Sequence, residues 1–297
     1  MKRNNTICLY SIVFFILFMS GCVVYNPNEV YVPQALQAVP LEEPLQQVAE
    51  MTQIARAANE FSFALSATFA QEIENENFII SPYSAWLPLA ALLNATDDAY
   101  KEPLAELLGG AGVGVEDINH AASRMMFDLS RANEGSSPLT IANTIFVRSS
   151  ETIRRDFVET FHGYYRGTAM SVNFQDPETV GIVNQWIYDN TNGLISDLVQ
   201  DFDPMHVLSV INAIHFYDRW EYEFHSSLTS QDVFYSPSGI TCAYFMRSEG
   251  LPRFYFEDDT IQSTRLGFSQ GGGMYILLPK SGDAVSFLEN MTLEYFT

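Results

Sequence analysis

The stretch VLSVINAIHFYDRWEYEF, residues 207–224, decides how the rest of the chain is read. It starts as an apolar strand, predicted over residues 207–217. Asn212 interrupts that run. A buried amide has to find hydrogen-bond partners, so Asn212 predicts a polar partner waiting inside a sheet. The chain then passes without a break into an aromatic and charged segment, where Trp220 and Phe224 follow closely enough to need an explanation of their own.

Downstream of this stretch, strands are predicted at 232–235, 240–247, 253–257, 262–268 and 274–279. Upstream, LTIANTIFVRSS (139–150) reads as another strand. DPETVGIVNQWIYDNTNGLI (176–195) places Val180, Val183, Trp186 and Ile187 on one helical face and stops at Asn192-Gly193, where a helix C-terminus is expected. NFIISPYSAWLPLAALLNAT (77–96) joins a short apolar strand to a buried helix through Ser81-Pro82, a capping residue followed by a first-turn proline. Ile54, Ala58, Phe61, Leu65 and Phe69 recur at spacings of three and four, so a long amphipathic helix opens the domain. Helices dominate the first half and strands the second, which argues for one mixed domain of the α+β class over residues 48–297.

The bulk numbers suit such a domain. Of 297 residues, 47% are hydrophobic, enough for a sizeable core. The formal charge of -21 repels phosphate backbones, so nucleic acid is excluded as a partner. Lys2 and Arg3 precede an apolar run from Ile7 to Met19, which reads as a secretory signal too short for a conventional membrane span. Its end, Met19-Ser20-Gly21-Cys22, resembles the bacterial lipobox, with Met19 where leucine is commoner. Residues 1–21 are therefore read as a lipoprotein signal and Cys22 as the lipidated N-terminus. Residues 22–47, with Pro27, Pro33, Pro40 and Pro44, are read as a tether. The expected location is extracytoplasmic, lipid-anchored at the cell surface or periplasmic membrane face, or otherwise secreted. Cys8 leaves with the signal and Cys22 carries lipid, so Cys242 has no partner for a disulfide and is expected to be a buried, inert thiol.

Little enzymatic chemistry survives inspection. The five histidines lack zinc-ligand spacing, no cysteine pair supplies further ligands, and no glycine-rich phosphate loop precedes a helix. No cofactor or metal is expected. Gly267-Phe268-Ser269-Gln270-Gly271 matches the G-x-S-x-G nucleophile elbow, but Gly272 and Gly273 lead directly into the apolar MYILLP. That pattern is a hairpin turn, whereas the elbow needs a following helix. A hydrolase using Ser269 is the remote alternative.

Several of these stretches, in order from about Ile54 to the end, resemble the serpin family. NFIISPYSAWLPLAALLNAT is similar to its N-x-F-x-S-P-x-S signature. LTIANTIFVRSS resembles its central-sheet strand, and FHGYYRGTAMSVNFQDPETVGIVNQWIYDNTNGLISDLV its YY...VDF...IN.W...T.G.I segment. VINAIHFYDRWEYEF is close to its VNAIYFKGKWE..F block, and GFSQGGGMYILLPK is similar to its Y.G..SM.I.LP hairpin. The resemblance implies a large central β-sheet with further sheets and packed helices. It matches Asn212, Ser81 and Ser84 to the shutter at which the central sheet opens, and Trp220 to the breach where an inserting strand enters. The residues alone allow a plainer reading, a satisfied polar core and a helix cap.

The resemblance also implies a function: non-enzymatic, suicide-substrate inhibition of a serine or cysteine protease, which cleaves a bait loop and is trapped as that loop inserts into the sheet. The family pattern continues past SGDAVSFLENMTLEYFT with C-terminal strands and the reactive loop. The chain is therefore expected to be truncated at its C-terminus, with no residue serving as the reactive bond. The alternative is a non-inhibitory, surface-anchored binding protein or a decayed remnant of an inhibitor.

Overall fold

The structure is a computed structural model that describes residues 30–31, 43–44, 49–73, 77–131, 138–236, 239–249, 254–282 and 284–293. Cys22 and the leader lie outside them. The chain divides into two compact units, the larger holding the described residues up to 131 together with 139–215, and the smaller holding Pro138 and residues from 216 into the 280s.

The larger unit begins with β1 (Val30–Tyr31), which lies in the stretch read as a tether yet pairs antiparallel with β3 (Ile153–Arg154). Helices α1 (Met51–Glu72), α2 (Pro82–Leu92), α3 (Asp98–Gly109), α4 (Val115–Ser130) and α5 (Arg155–Tyr165) form one layer, against a sheet of β2 (Leu139–Arg148), β4 (Thr168–Val172) and β5 (Leu208–Phe216). Helix α6 (Glu178–Asn190) packs on the other side. Strand order is β4-β2-β5. β2 and β4 run parallel, with Thr144 opposite Thr168 and Arg148 opposite Val172. The Tyr217 N–H donates to the Pro138 carbonyl at 2.7 Å and the Arg148 N–H to the Val207 carbonyl at 2.9 Å. These two bonds bracket β2 and β5 as an antiparallel pair.

Side chains alternate across this sheet as the pleat requires. Ile145, Ala169 and Val210 enter the core beneath α1–α5, and Phe146, Val172 and Ile211 enter a second core beneath α6. Both faces of β5 are thus covered, which explains its unbroken apolar sequence: Ser209 through Ile214 are all buried. Helix α2 shows the same logic, being apolar all round because it is enclosed. Its start is fixed by Ser81, whose hydroxyl accepts from the Ser84 N–H, and by Pro82 in the first turn. The Trp86 indole N–H donates to the Leu108 carbonyl at 3.0 Å, tying α2 to the end of α3. Helix α6 ends two residues before Asn192 and Gly193, both in the left-handed region, with the Gly193 N–H returning to the Tyr188 carbonyl.

The smaller unit consists of the hairpin β6 (Ser230–Ser236) with β7 (Gly239–Phe245), and the meander β8 (Phe254–Glu257), β9 (Ile261–Gly267) and β10 (Gly273–Pro279) in the order β10-β9-β8. Cys242 lies opposite Val233 on β7 and is exposed, contrary to its expected burial. The reason is the ribbon itself. Val233, Phe234, Tyr235, Ile240 and Tyr244 are exposed as well, so an apolar strand sequence here does not imply a covered strand.

Candidate functional site

Asn212 and Asn143 are cross-strand neighbours, and their parity turns both toward the α1–α5 core. The Asn212 amide N–H2 donates to the Asn143 side-chain oxygen at 2.8 Å and, at 3.4 Å, to the Ala142 carbonyl. Asn143 donates in turn to the Tyr165 carbonyl at 2.8 Å, where α5 ends. The Tyr165 hydroxyl donates to the Asn119 side-chain oxygen at 2.6 Å, and Asn119 and Asn94 exchange two amide bonds of 2.9 Å. Burial pushes the Tyr165 hydroxyl well above its ordinary pKa, so it is fixed as a neutral donor. A polar line therefore runs from β5 through β2 to α5, α4 and the end of α2.

That line is incomplete at its origin. Among the described residues the Asn212 side-chain oxygen has no hydrogen-bond partner, although the residue is wholly buried. An acceptor left in that state costs about 1–3 kcal/mol. β5 is also the edge of its sheet among the described residues, since only β2 pairs with it. Edge strands are ordinarily short, charged or two-sided in polarity. Among the described residues, then, a strand buried from Ser209 to Ile214 has no neighbour on its second edge and an unmet acceptor at its midpoint.

Ser81 and Ser84 are buried and bonded to each other, the Ser84 hydroxyl donating to Ser81 Oγ at 3.0 Å. No hydrogen bond joins either serine to Asn212 among the described residues. Trp220, in the smaller unit, stacks on Phe268 with centroids 5.0 Å apart and packs edge-on against Phe224 at 6.0 Å. This cluster accounts for the close spacing of Trp220 and Phe224. Phe268 is held by the β9–β10 turn, where Ser269 donates to the Asp218 carboxylate at 2.7 Å and the Ser269 N–H to the Arg219 carbonyl at 2.8 Å. Ser269 thus occupies a turn between antiparallel strands.

Two features escaped sequence reasoning. Asn143 was visible only as part of an Ala-Asn pair; its partnership with Asn212 depends on register. His206 and Ser209, three residues apart at the start of β5, bring Nε2 and Oγ to 2.6 Å, with the imidazole against the rings of Phe174 and Phe202. Ser209 is wholly buried, so the pair is structural and no substrate reaches it. Burial lowers the His206 pKa, the charge of Arg148 lowers it further and Asp203 opposes them; burial also lowers that of His215. A depressed imidazole contributes stability above its unfolded pKa of about 6.5 and loses it as pH falls below that. Urea midpoints should therefore fall between pH 7.5 and 5.5, less steeply in His206→Gln; an equal slope in the two proteins would remove His206 as the cause.

The model of the family described as serpin (serine protease inhibitor) matches residues 56–297. An uncharacterized serpin-like protein of Thermococcus kodakarensis is 26% identical over 293 residues, covering 94% of this chain and 67% of its own length. Serpin-ZX of Hordeum vulgare is 30% identical over 246 residues, covering 79% of this chain. The chain spans 61% of that barley protein, and 56% of Serpin A3-8 of Bos taurus. Among solved structures, the thermophilic serpin tengpin in its latent state matches with a TM-score of 0.73 at 26% identity, over 84% of this chain and 67% of that one. Cleaved kallistatin complexed with heparin matches in fold with a TM-score of 0.75 at 22% identity, over 83% and 74%.

Proposed function

Because the chain belongs to the serpin family, we propose that it serves the inhibition of serine or cysteine proteases, through acceptance of a further strand at the open edge of β5. The observation that carries this reading is the unmet Asn212 acceptor on a buried edge strand. An added strand would satisfy backbone groups along that edge and bring a donor to Asn212, so insertion is downhill by hydrogen bonding as well as burial. In the mechanism, a protease serine or cysteine attacks a bait-loop carbonyl, the amine leaves, and the ester or thioester persists because loop insertion displaces the enzyme before water can hydrolyse it.

The test has two arms. With a bait loop supplied beyond residue 297, which residues 1–297 lack, incubation with trypsin-like, chymotrypsin-like and papain-like proteases should give an SDS-stable species with the mass of the two proteins less the fragment released C-terminal to the cleaved bond. A blocked, extended peptide of alternating β-branched and small residues should raise the melting temperature by occupying the edge. No complex with any protease would leave the alternative, a non-inhibitory binding protein; no response to the peptide would remove strand acceptance itself. The same reading puts the protein outside the cytoplasm on a lipid anchor, supported by Lys2, Arg3, the apolar run and Cys22. Palmitate labelling in a bacterial host should disappear in Cys22→Ser, and labelling that persists would overturn the anchor.

A further inference from the structure

A cavity of about 520 Å³ opens in the larger unit between the start of α6 and the segment that leads into β5. Its apolar lining includes Phe174, Val180, Phe202 and Pro204, and its carboxylates are Asp176 and Asp201. The volume is that of a small-molecule site. Its walls are held in place: Asn184 of α6 clasps Val199 from both sides, donating to its carbonyl at 2.7 Å and accepting from its N–H at 2.9 Å. Phe174 and Phe202 pack at 4.8 Å and 59°, with Phe174 buried and Phe202 half-buried.

The charges select the ligand. Asp176 Oδ1 accepts from the Glu178 N–H, so that carboxylate is partly engaged in offsetting the positive end of α6. Asp201 is exposed and has no hydrogen bond or ion pair among the described residues. Among the described residues no lysine or arginine lines the cavity, and Arg148 is committed to the carbonyls of His206 and Pro204. An anion would meet two carboxylates, whereas a neutral apolar molecule would leave them unused. An aromatic face beside a free carboxylate recognises an organic ammonium by cation–π attraction and ion pairing together. From this juxtaposition we infer that the cavity is a binding site for a small organic cation with an apolar body, such as an aryl-alkyl amine, with Asp201 as its counter-ion and Phe202 as its platform. The chain's acidity would draw such a ligand in.

The probe is phenethylamine, titrated at pH 7.5 and 150 mM salt while amide shifts are followed by NMR. Saturable shifts are expected at Val180 and at Gln200 to Phe202. Asp201→Asn should weaken binding at least about fivefold, and the neutral 2-phenylethanol should bind at least about fivefold more weakly than the amine. Val180→Trp, which fills the cavity, should abolish the shifts. Equal affinity for amine and alcohol, or an unaltered response in Asp201→Asn, would overturn the site. Survival in a folded Val180→Trp would reduce it to diffuse attraction by an acidic protein. If Val180→Trp fails to fold, the exposed Asp201 substitution still decides. Neither a protease nor an inserted strand enters this assay, so its failure leaves the inhibitor reading untouched.

Discussion

Asn212→Asp should destabilise the protein by about 3–5 kcal/mol at pH 7.5, and much of that loss should return as the pH is lowered toward 4.5. The substitution preserves shape and removes one capability, donation by the amide N–H2. Asn143 Oδ1 and the Ala142 carbonyl, which accept from Asn212, would face a carboxylate. Acceptor would meet acceptor in a site with no water access, and the charge would have no cationic partner, since the hydrogen-bonded neighbours are amides and backbone. The energy of a buried, unpaired charge follows. Burial raises the folded-state pKa of the introduced carboxyl above its unfolded value. Stability is then retained below the unfolded pKa and lost as pH rises through the folded one. Protonated, the group can donate to Asn143 Oδ1 much as the amide does. The discriminating quantity is the difference in urea midpoint between variant and parent at each pH, which cancels the imidazole contributions common to both. Asn212→Leu serves as the reference: it leaves Asn143 Oδ1 without its donor, a loss of about 1–3 kcal/mol with no dependence on pH. A pH-independent difference for Asn212→Asp would mean that the site is open to water, and the argument from an unmet acceptor would fall with it.

The position of Asn212 was legible because an apolar run of strand length points to a buried strand, and an amide inside it needs hydrogen-bond partners, although the residues alone equally allowed a satisfied polar core. Ser81-Pro82 was legible for a similar reason, since capping and first-turn geometry are local. The register that sets Asn143 opposite Asn212 is not local. It depends on pairing between segments some 70 residues apart in sequence. Helix α3 is interrupted by Pro103 and followed by Gly110, whereas α4 and α5 each carry a buried face at helical spacing, Ile118, Ala122 and Met126 on one and Phe157, Phe161 and Tyr165 on the other, so their signal was present in the sequence. Cys242 was misread because an alternating strand sequence reports pleat, not cover. The cavity beside α6 left no sequence signal, since Asp176 and Asp201 lie on loops separated by a whole helix.

Gly167→Ala should be nearly as damaging, at about 3 kcal/mol, for a purely steric reason. Arg166 ends α5 in the left-handed region, and the Gly167 N–H closes the turn onto the Phe161 carbonyl at 3.0 Å. This brings the backbone against the Phe161 ring: a methyl group at Gly167 would lie 2.5 Å from Cζ and closer still to Cε1 and Cδ1. Phe161 cannot swing away, because it is buried and stacked between Phe157 and Tyr165, each at 6.1 Å. Relief must come from the backbone at the head of β4. There Thr168 Oγ1 bonds Thr144 Oγ1 at 2.9 Å, and the Tyr165 carbonyl receives the Asn143 amide. A shift at Gly167 therefore reaches the partner of Asn212 through two hydrogen bonds. A double-mutant cycle isolates the clash. Phe161→Leu alone should cost about 1–2 kcal/mol for lost packing, but the smaller side chain makes room for the methyl. The double mutant should be more stable than the sum of the single losses predicts, by more than about 1 kcal/mol. Additive losses would show that the ring already yields, and that the strain is absorbed without disturbing β4.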